Sequence, residues 1–157
     1  MTEFRPEAKA TILSIAGKID HLHVICTGQF FNRETGAQSV LAVNVSSVRK
    51  DAPYDDACVL HAGDHPFIVH DSYVRYKDAV VLKVDHILTA IKSGEITVMD
   101  KVTDEVFQRI ILGFETSEYT KTKIKKLVRQ LIAQSPKDHQ SKAQHLQYFV
   151  SSQDCVQ

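Results

Sequence analysis

Three of the eight histidines, His61, His65 and His70, fall between Cys58 and Tyr76, in the company of Asp64, Asp71, Ser72, Tyr73 and Arg75. An unperturbed imidazole titrates near neutral pH, so His65 and His70 are the natural groups for moving a proton as general base or acid. Asp64 precedes His65 and Asp71 follows His70, which puts a carboxylate beside each ring in sequence. Ser72 and Arg75 could bind a phosphate, and Tyr73 and Tyr76 could stack on bases. A plainer reading stands beside this one: loop histidines bonded to backbone, and tyrosines packed at strand spacing around a core Val74. Gly63-Asp64 offers a tight turn, and Pro66 keeps His65 out of helical conformation. The stretch therefore reads as a loop on a β scaffold, where binding and catalytic groups concentrate.

The same residues raise metal-dependent hydrolysis, because Cys58, His61, His65 and His70 with Asp56, Asp64 and Asp71 are zinc-type ligands. The spacing C-x2-H-x3-H-x4-H matches no common zinc signature, and Pro66 interrupts any helical presentation, so no metal or other cofactor is expected. The absence of a P-loop, a dinucleotide glycine pattern and a nucleophile elbow argues against nucleotide hydrolysis and serine hydrolase chemistry. A non-catalytic module holding a protein or a nucleic acid in a cleft remains the alternative to an enzyme.

The elements that must position these groups change character half-way along. Residues 10–16 form a short β-branched run, and 21–27 alternate with Leu22, Val24 and Cys26 on one face. Residues 28–38 read as a hairpin loop carrying Phe30 and Phe31, and 39–46 as the clearest strand, apolar at Leu41, Val43 and Val45. A polar loop with Pro53 and three aspartates follows, then β signals at 57–60 and 73–83. Beyond that the period becomes helical. Asp85 is placed to cap a helix closed by Gly94, and Thr103 one stopped at Gly113. Ile124, Leu127, Val128, Leu131 and Ile132 make a clean amphipathic stripe among Lys121, Lys123, Lys125, Lys126 and Arg129. Ser135-Pro136 opens a last helix. Strands first and helices after predict an α+β fold: a curved, mainly antiparallel sheet over 10–83, a half-open barrel, with helices near 86–93, 104–112, 118–134 and 137–150. Leu41, Val43, Val24, Ile110 and Phe107 are the expected core.

The 157 residues suit one domain, and 43% hydrophobic with 24% charged side chains is ordinary for a globular protein. The net charge of zero hides an asymmetry. Residues 1–115 carry 12 Lys/Arg against 16 Asp/Glu, and 116–157 carry 7 against 3, an acidic body with a basic tail. Three cysteines without paired spacing and a polar opening at Met1–Pro6 predict reduced thiols in a cytoplasm, and no stretch approaches membrane-span length.

Leu41–Ser47, Cys58–Tyr76 with its Gly-Asp-His-Pro-Phe loop, and Val106–Ser117 with Arg109-Ile-Ile-Leu-Gly113 together resemble the MazF/PemK/Kid toxin superfamily, in a divergent PemK-like branch. The resemblance spans roughly residues 10–118. It implies an SH3-like barrel over 1–117, a homodimer, single-stranded RNA as ligand and an antitoxin as partner; residues 118–157, beyond the resemblance, read from their own pattern as a basic two-helix extension. It also implies metal-independent RNA cleavage, the ribose 2′-OH attacking the adjacent phosphate. Ser46 and Ser47 stand where the family has its Ser/Thr, and Arg49 follows. The family's Gly-x-Arg-Pro before the second strand is Lys18-Ile-Asp-His21 here, which leaves His21, Arg49 or Arg75 to supply the cation. On this reading His65, His70, Arg75 and Ser47 are catalytic, and Ser46, Arg49, Asp64, Ser72, Tyr73, Tyr76 and His21 bind substrate.

Overall fold

The computed structural model describes residues 3–16 and 19–133. The chain divides into two compact units, Met1–Thr120 and Lys121–Gln157. The first is an α+β unit whose strands are β1 (Thr11–Ala16), β2 (Ile19–Ile25), β3 (Phe30–Asn32), β4 (Ala37–Ser47), β5 (Val59–Leu60), β6 (Ser72–Lys83) and β7 (Ile96–Met99). They form one sheet in the order β5-β6-β4-β2-β1-β7, with β3 also on β4, and every pair is antiparallel. The sheet curls into a half-barrel, as the alternation and the lack of early crossovers predict.

β4 is the spine because its alternation is the strongest. Leu41 and Val43 are fully buried, with Val24 of β2 beside Val43. Both faces of the sheet are partly buried. Ile12, Ile25 and Val40 pack under α1 (Val84–Ser93) through Val84 and Ile87. Ile25, assigned by alternation to the polar face of its strand, is therefore core, since that face turns apolar where α1 sits. Phe107, Ile110 and Phe114 are buried on α2 (Asp104–Thr116), so the expected core residues are all inside.

Three local expectations change. Asp85 does not cap α1: Lys83 holds that position without a side-chain bond, because β6 runs straight into the helix and leaves Asp85 in the first turn. Gly94 does end α1, with a positive φ of 82° and its N–H bonded to the last-turn carbonyls. β7 was not anticipated; its four residues pair with β1 from Thr11↔Met99 to Ser14↔Ile96, a non-local match that local pattern does not reveal.

Gly113 does not stop α2, which continues to Thr116. A glycine lowers helix propensity, but here it admits the Tyr76 ring, which occupies the place a Cβ would take. Tyr76 lies in a bulge of β6: the pairs Ala42↔Val80 and Asn44↔Arg75 leave four residues of β6 opposite Val43 alone. The bulge turns Tyr76 into the core, where its Oη donates to the Ile110 carbonyl at 2.6 Å and its ring meets Phe114 edge-on at 4.9 Å.

In the second unit, α3 (Thr122–Ala133) carries the amphipathic stripe, with Ile124 and Val128 buried. It begins four residues later than expected, at a turn where the Lys121 carbonyl accepts from Ile124 and Lys125. The helix expected over 137–150 lies outside the described residues. Among the described residues no helix is long and apolar enough to cross a membrane.

The Tyr76–Gly113 contact makes a direct prediction. Gly113→Ala should destabilise the protein by about 3 kcal/mol in urea unfolding, because the methyl overpacks a filled site. Combining it with Tyr76→Leu should recover part of that loss, and strict additivity of the two changes would refute the contact.

Candidate functional site

The end of β4 and the start of β6 lie side by side, with Ser46 opposite Tyr73 and Asn44 opposite Arg75. Directly opposed residues share a sheet face, so Ser46, Tyr73 and Arg75 project together. The loop after β4 folds beside them and borders an open cleft of about 250 Å³ whose lining includes Ser46, Ser47, Arg49, Tyr54, Tyr73 and Arg75, with Ala52 and Pro53 of the loop. Three bonds hold this loop. Val48 N–H donates to the Asp71 carbonyl at 3.0 Å, Asp55 accepts from Ala57 N–H at 3.1 Å, and the buried Ser117 hydroxyl donates to Asp55 at 2.5 Å from the end of α2. Tyr54 is thereby placed against Tyr73, the ring centroids 5.4 Å apart and tilted by 41°.

His70 reaches the edge of the cleft through Ser47. Its Nε2 lies 2.6 Å from Ser47 Oγ, and both side chains are exposed. Its carbonyl accepts from the Ser72 hydroxyl at 3.0 Å, which fixes the backbone carrying the ring. The Arg75 guanidinium is oriented by Asp78, 2.8 Å away within the β6 bulge. The next carboxylate, Asp71, pairs with His61 Nδ1 at 2.8 Å in an exposed contact. Two arginines, two aromatic rings and Ser47 thus line one small cleft, and Ser47 carries His70 as its hydrogen-bond partner.

Ser46, Ser47, Arg49, Tyr73 and Arg75 are brought together there, with His70 bonded to Ser47. The other residues singled out from the sequence are elsewhere. Tyr76 cannot stack on a base, because it is 1% exposed and bonded into the core. His65 is 2% exposed and both ring nitrogens are engaged: Nδ1 accepts from Phe67 N–H at 3.0 Å, and Nε2 donates to the Asp100 carbonyl at 2.7 Å. It ties the loop to the start of β1, where Thr11 donates to the same carbonyl at 2.6 Å. A ring so held has no lone pair left for a substrate proton. Ser72 is buried and supports His70 rather than reaching a phosphate. His21 stands on β2, opposite Ser14 of β1.

Asp64 is structural as well. It accepts from His61 N–H at 2.9 Å and from Arg109 at 3.2 Å, while Arg109 also donates to the Val59 carbonyl at 2.8 Å. Burial alone would raise the Asp64 pKa, but the His61 N–H and the Arg109 charge outweigh it and hold the carboxyl below its ordinary 3.8. Burial pushes the thiols of Cys26 and Cys58 upward, so neither is a ready nucleophile.

Among the described residues no group of three or more His, Cys, Asp or Glu converges to hold a metal ion. The zinc-type set of the loop is dispersed: Cys58 and His65 turn into the interior while His61 faces Asp71. Tyr54 is the lining residue that sequence reasoning missed; a lone aromatic in an otherwise polar loop was the available signal. No family model and no curated protein matches the chain.

The Asp64 clamp should show in acid. Because its folded pKa is depressed, the stability it contributes is fully present above the ordinary carboxyl value and is lost as pH falls through the lower folded one. Asp64→Asn should therefore cost about 1–3 kcal/mol at pH 7, and the gap to wild type should close below roughly pH 4. A gap that stays constant down to pH 2 would refute the clamp, as followed by urea unfolding.

Proposed function

We propose that this chain is a toxin-like protein of the toxin–antitoxin type that binds single-stranded RNA in the cleft and cleaves it without a metal ion. The observation that carries the reading is the convergence of Arg49 and Arg75, Tyr54 and Tyr73, and Ser47 on one cleft, with His70 bonded to Ser47 at its edge. Arginines suit the phosphodiester, and tyrosine faces suit unstacked bases regardless of sequence. In the reaction the substrate 2′-OH replaces Ser47 as the partner of His70 Nε2 and gives it its proton. The oxygen attacks the adjacent phosphorus, Arg75 and Arg49 stabilise the phosphorane charge, and the 5′-oxygen leaves with a proton from water. The product is a cyclic phosphate. The half-barrel sheet suits an SH3-like assignment; the proposal further takes the protein as a cytoplasmic homodimer neutralised by an antitoxin.

Expression should arrest growth, and purified protein should cut single-stranded RNA in EDTA to cyclic-phosphate ends. His70→Ala should slow cleavage by about two to four orders of magnitude, the range for a lost proton-transfer group. Arg75→Ala should cost on the order of 3 kcal/mol of barrier, with Ser47→Ala milder. Arg49→Gln should weaken binding and reduce the salt slope by about one. Cleavage lost in EDTA and restored by zinc would replace this mechanism with a metal-dependent one. RNA bound but uncut, with His70→Ala unchanged, would leave a non-catalytic binding module.

The dimer has its own test. Sedimentation at tens of micromolar, roughly the range in which a standard-size interface holds, should give twice the 17.7 kDa chain mass. A monomer would refute it.

A further inference from the structure

We propose that the cleft continues across the sheet as a polar band on β4 and β2, a second subsite that takes the bases next to the one held by the tyrosines, so that the ligand is a strand of several nucleotides. The inference rests on the cleft reading and extends it. Register places the band. Asn44 is opposite Arg75 on one side and His23 on the other, while His21 is opposite Ser14. Opposed residues share a face, and so do residues two apart on a strand, which aligns Tyr73 and Arg75, Ser46 and Asn44, His23 and His21. All six are half-buried. Two strand spacings, about 10 Å, separate the cleft from His23, beyond the reach of one nucleotide stacked on the outer face of the tyrosine pair.

The chemistry of the band is that of a binding surface. The same face is apolar further along, at Ile12, Ile25 and Val40, and α1 covers it there. Beyond α1 the side chains on β4 and β2 are the short polar groups Ser46, Asn44, His23 and His21 instead of the long charged residues of a freely solvated sheet. Asn44 Oδ1 is buried without a partner among the described residues, an uncompensated acceptor at the middle of the band. With nothing holding that oxygen, the amide can turn about its soft terminal torsion towards the amino edge of a base. His23 lies 3.3 Å from Ser14 Oγ and 3.2 Å from the His21 carbonyl through the same nitrogen, Nδ1, leaving Nε2 for a ligand. Burial lowers the His23 pKa against the opposing effect of that carbonyl, so at neutral pH the ring is a hydrogen-bonding and stacking group without charge. Phosphates accordingly belong to Arg49 and Arg75, and bases to Asn44 and His23.

The test is a length ladder with uncleavable 2′-O-methyl RNA: a mononucleotide capped as its methyl phosphodiester, so that its phosphate is a monoanion like an internal linkage, a trinucleotide and an octanucleotide, titrated at several salt concentrations. The wild-type protein should bind the trinucleotide about tenfold tighter than the mononucleotide, the effect of one further stacked base. His23→Ala and Asn44→Ala, each checked for native thermal unfolding, should bring the trinucleotide back to within about twofold of the mononucleotide while leaving the salt slope unchanged. A wild-type trinucleotide no tighter than the mononucleotide overturns the second subsite alone, and needs no variant to fold. So does full length dependence in both variants. Failure of every ligand to bind overturns the cleft reading and this inference with it.

Discussion

Tyr76 passing over Gly113 is the contact on which the arrangement of the first unit depends. A tyrosine in a strand that must reach a helix carbonyl needs its backbone to leave the ladder, and the β6 bulge provides that departure. The helix must in turn present no side chain where the ring lies, which accounts for a glycine in the middle of α2. Strand irregularity and helix glycine are therefore two halves of one packing solution. The bulge also divides β6 in function. Its first part lies along the end of β4 and lines the cleft, while its second part pairs with the start of β4 and runs into α1.

Several polar clamps fasten loops to this frame, each by a charged or buried group whose partners are backbone or opposite charge. Asp64 and Arg109 hold the turn after β5 to α2, His65 and Thr11 share the Asp100 carbonyl, and Asp55 meets the buried Ser117. Such bonds contribute modestly while made, but leaving one buried partner unpaired is costly, so each fixes a geometry more firmly than its own strength implies. The cleft inherits this rigidity. Its floor is sheet, and the loop beside it is pinned at both ends.

The half-barrel and one face of its core were legible in the sequence because Leu41, Val43 and Val45 alternate, whereas the burial of Val40 and Ala42 on the opposite face, where Val40 packs under α1, could not be read from that pattern. The clustering of Ser46, Ser47, Arg49, Tyr73 and Arg75 was partly legible too, as strand-end residues flanking one loop. What could not be read was direction. His65 and His70 look alike in sequence, each a loop histidine beside an aspartate, yet one turns inward to backbone partners and the other outward to Ser47. Tyr73 and Tyr76 share a strand, but a period of two would put them on opposite faces, and burial sends Tyr76 inside. β7 and the run of α2 through Gly113 are non-local outcomes: each depends on a partner far away in sequence, β1 in one case and Tyr76 in the other.

The charge inside the cleft narrows what it can hold. Arg49 and Arg75 bring two positive charges, but Asp78 lies 2.8 Å from the Arg75 guanidinium and returns one negative. The balance is close to a single positive charge, matched to a phosphodiester monoanion better than to a terminal phosphate dianion, whose second charge would meet the Asp78 carboxylate. A guanidinium has five donors and one carboxylate occupies at most two, so Arg75 keeps donors for the ligand while Asp78 limits its orientation. The tyrosine rings add a second restriction. With centroids 5.4 Å apart and a 41° tilt they lean on each other and leave no slot between them, so a base can stack only on an outer face of the pair, past which a strand can continue. An internal linkage of a chain satisfies both conditions at once, and a free mononucleotide with its doubly charged phosphate satisfies only the second.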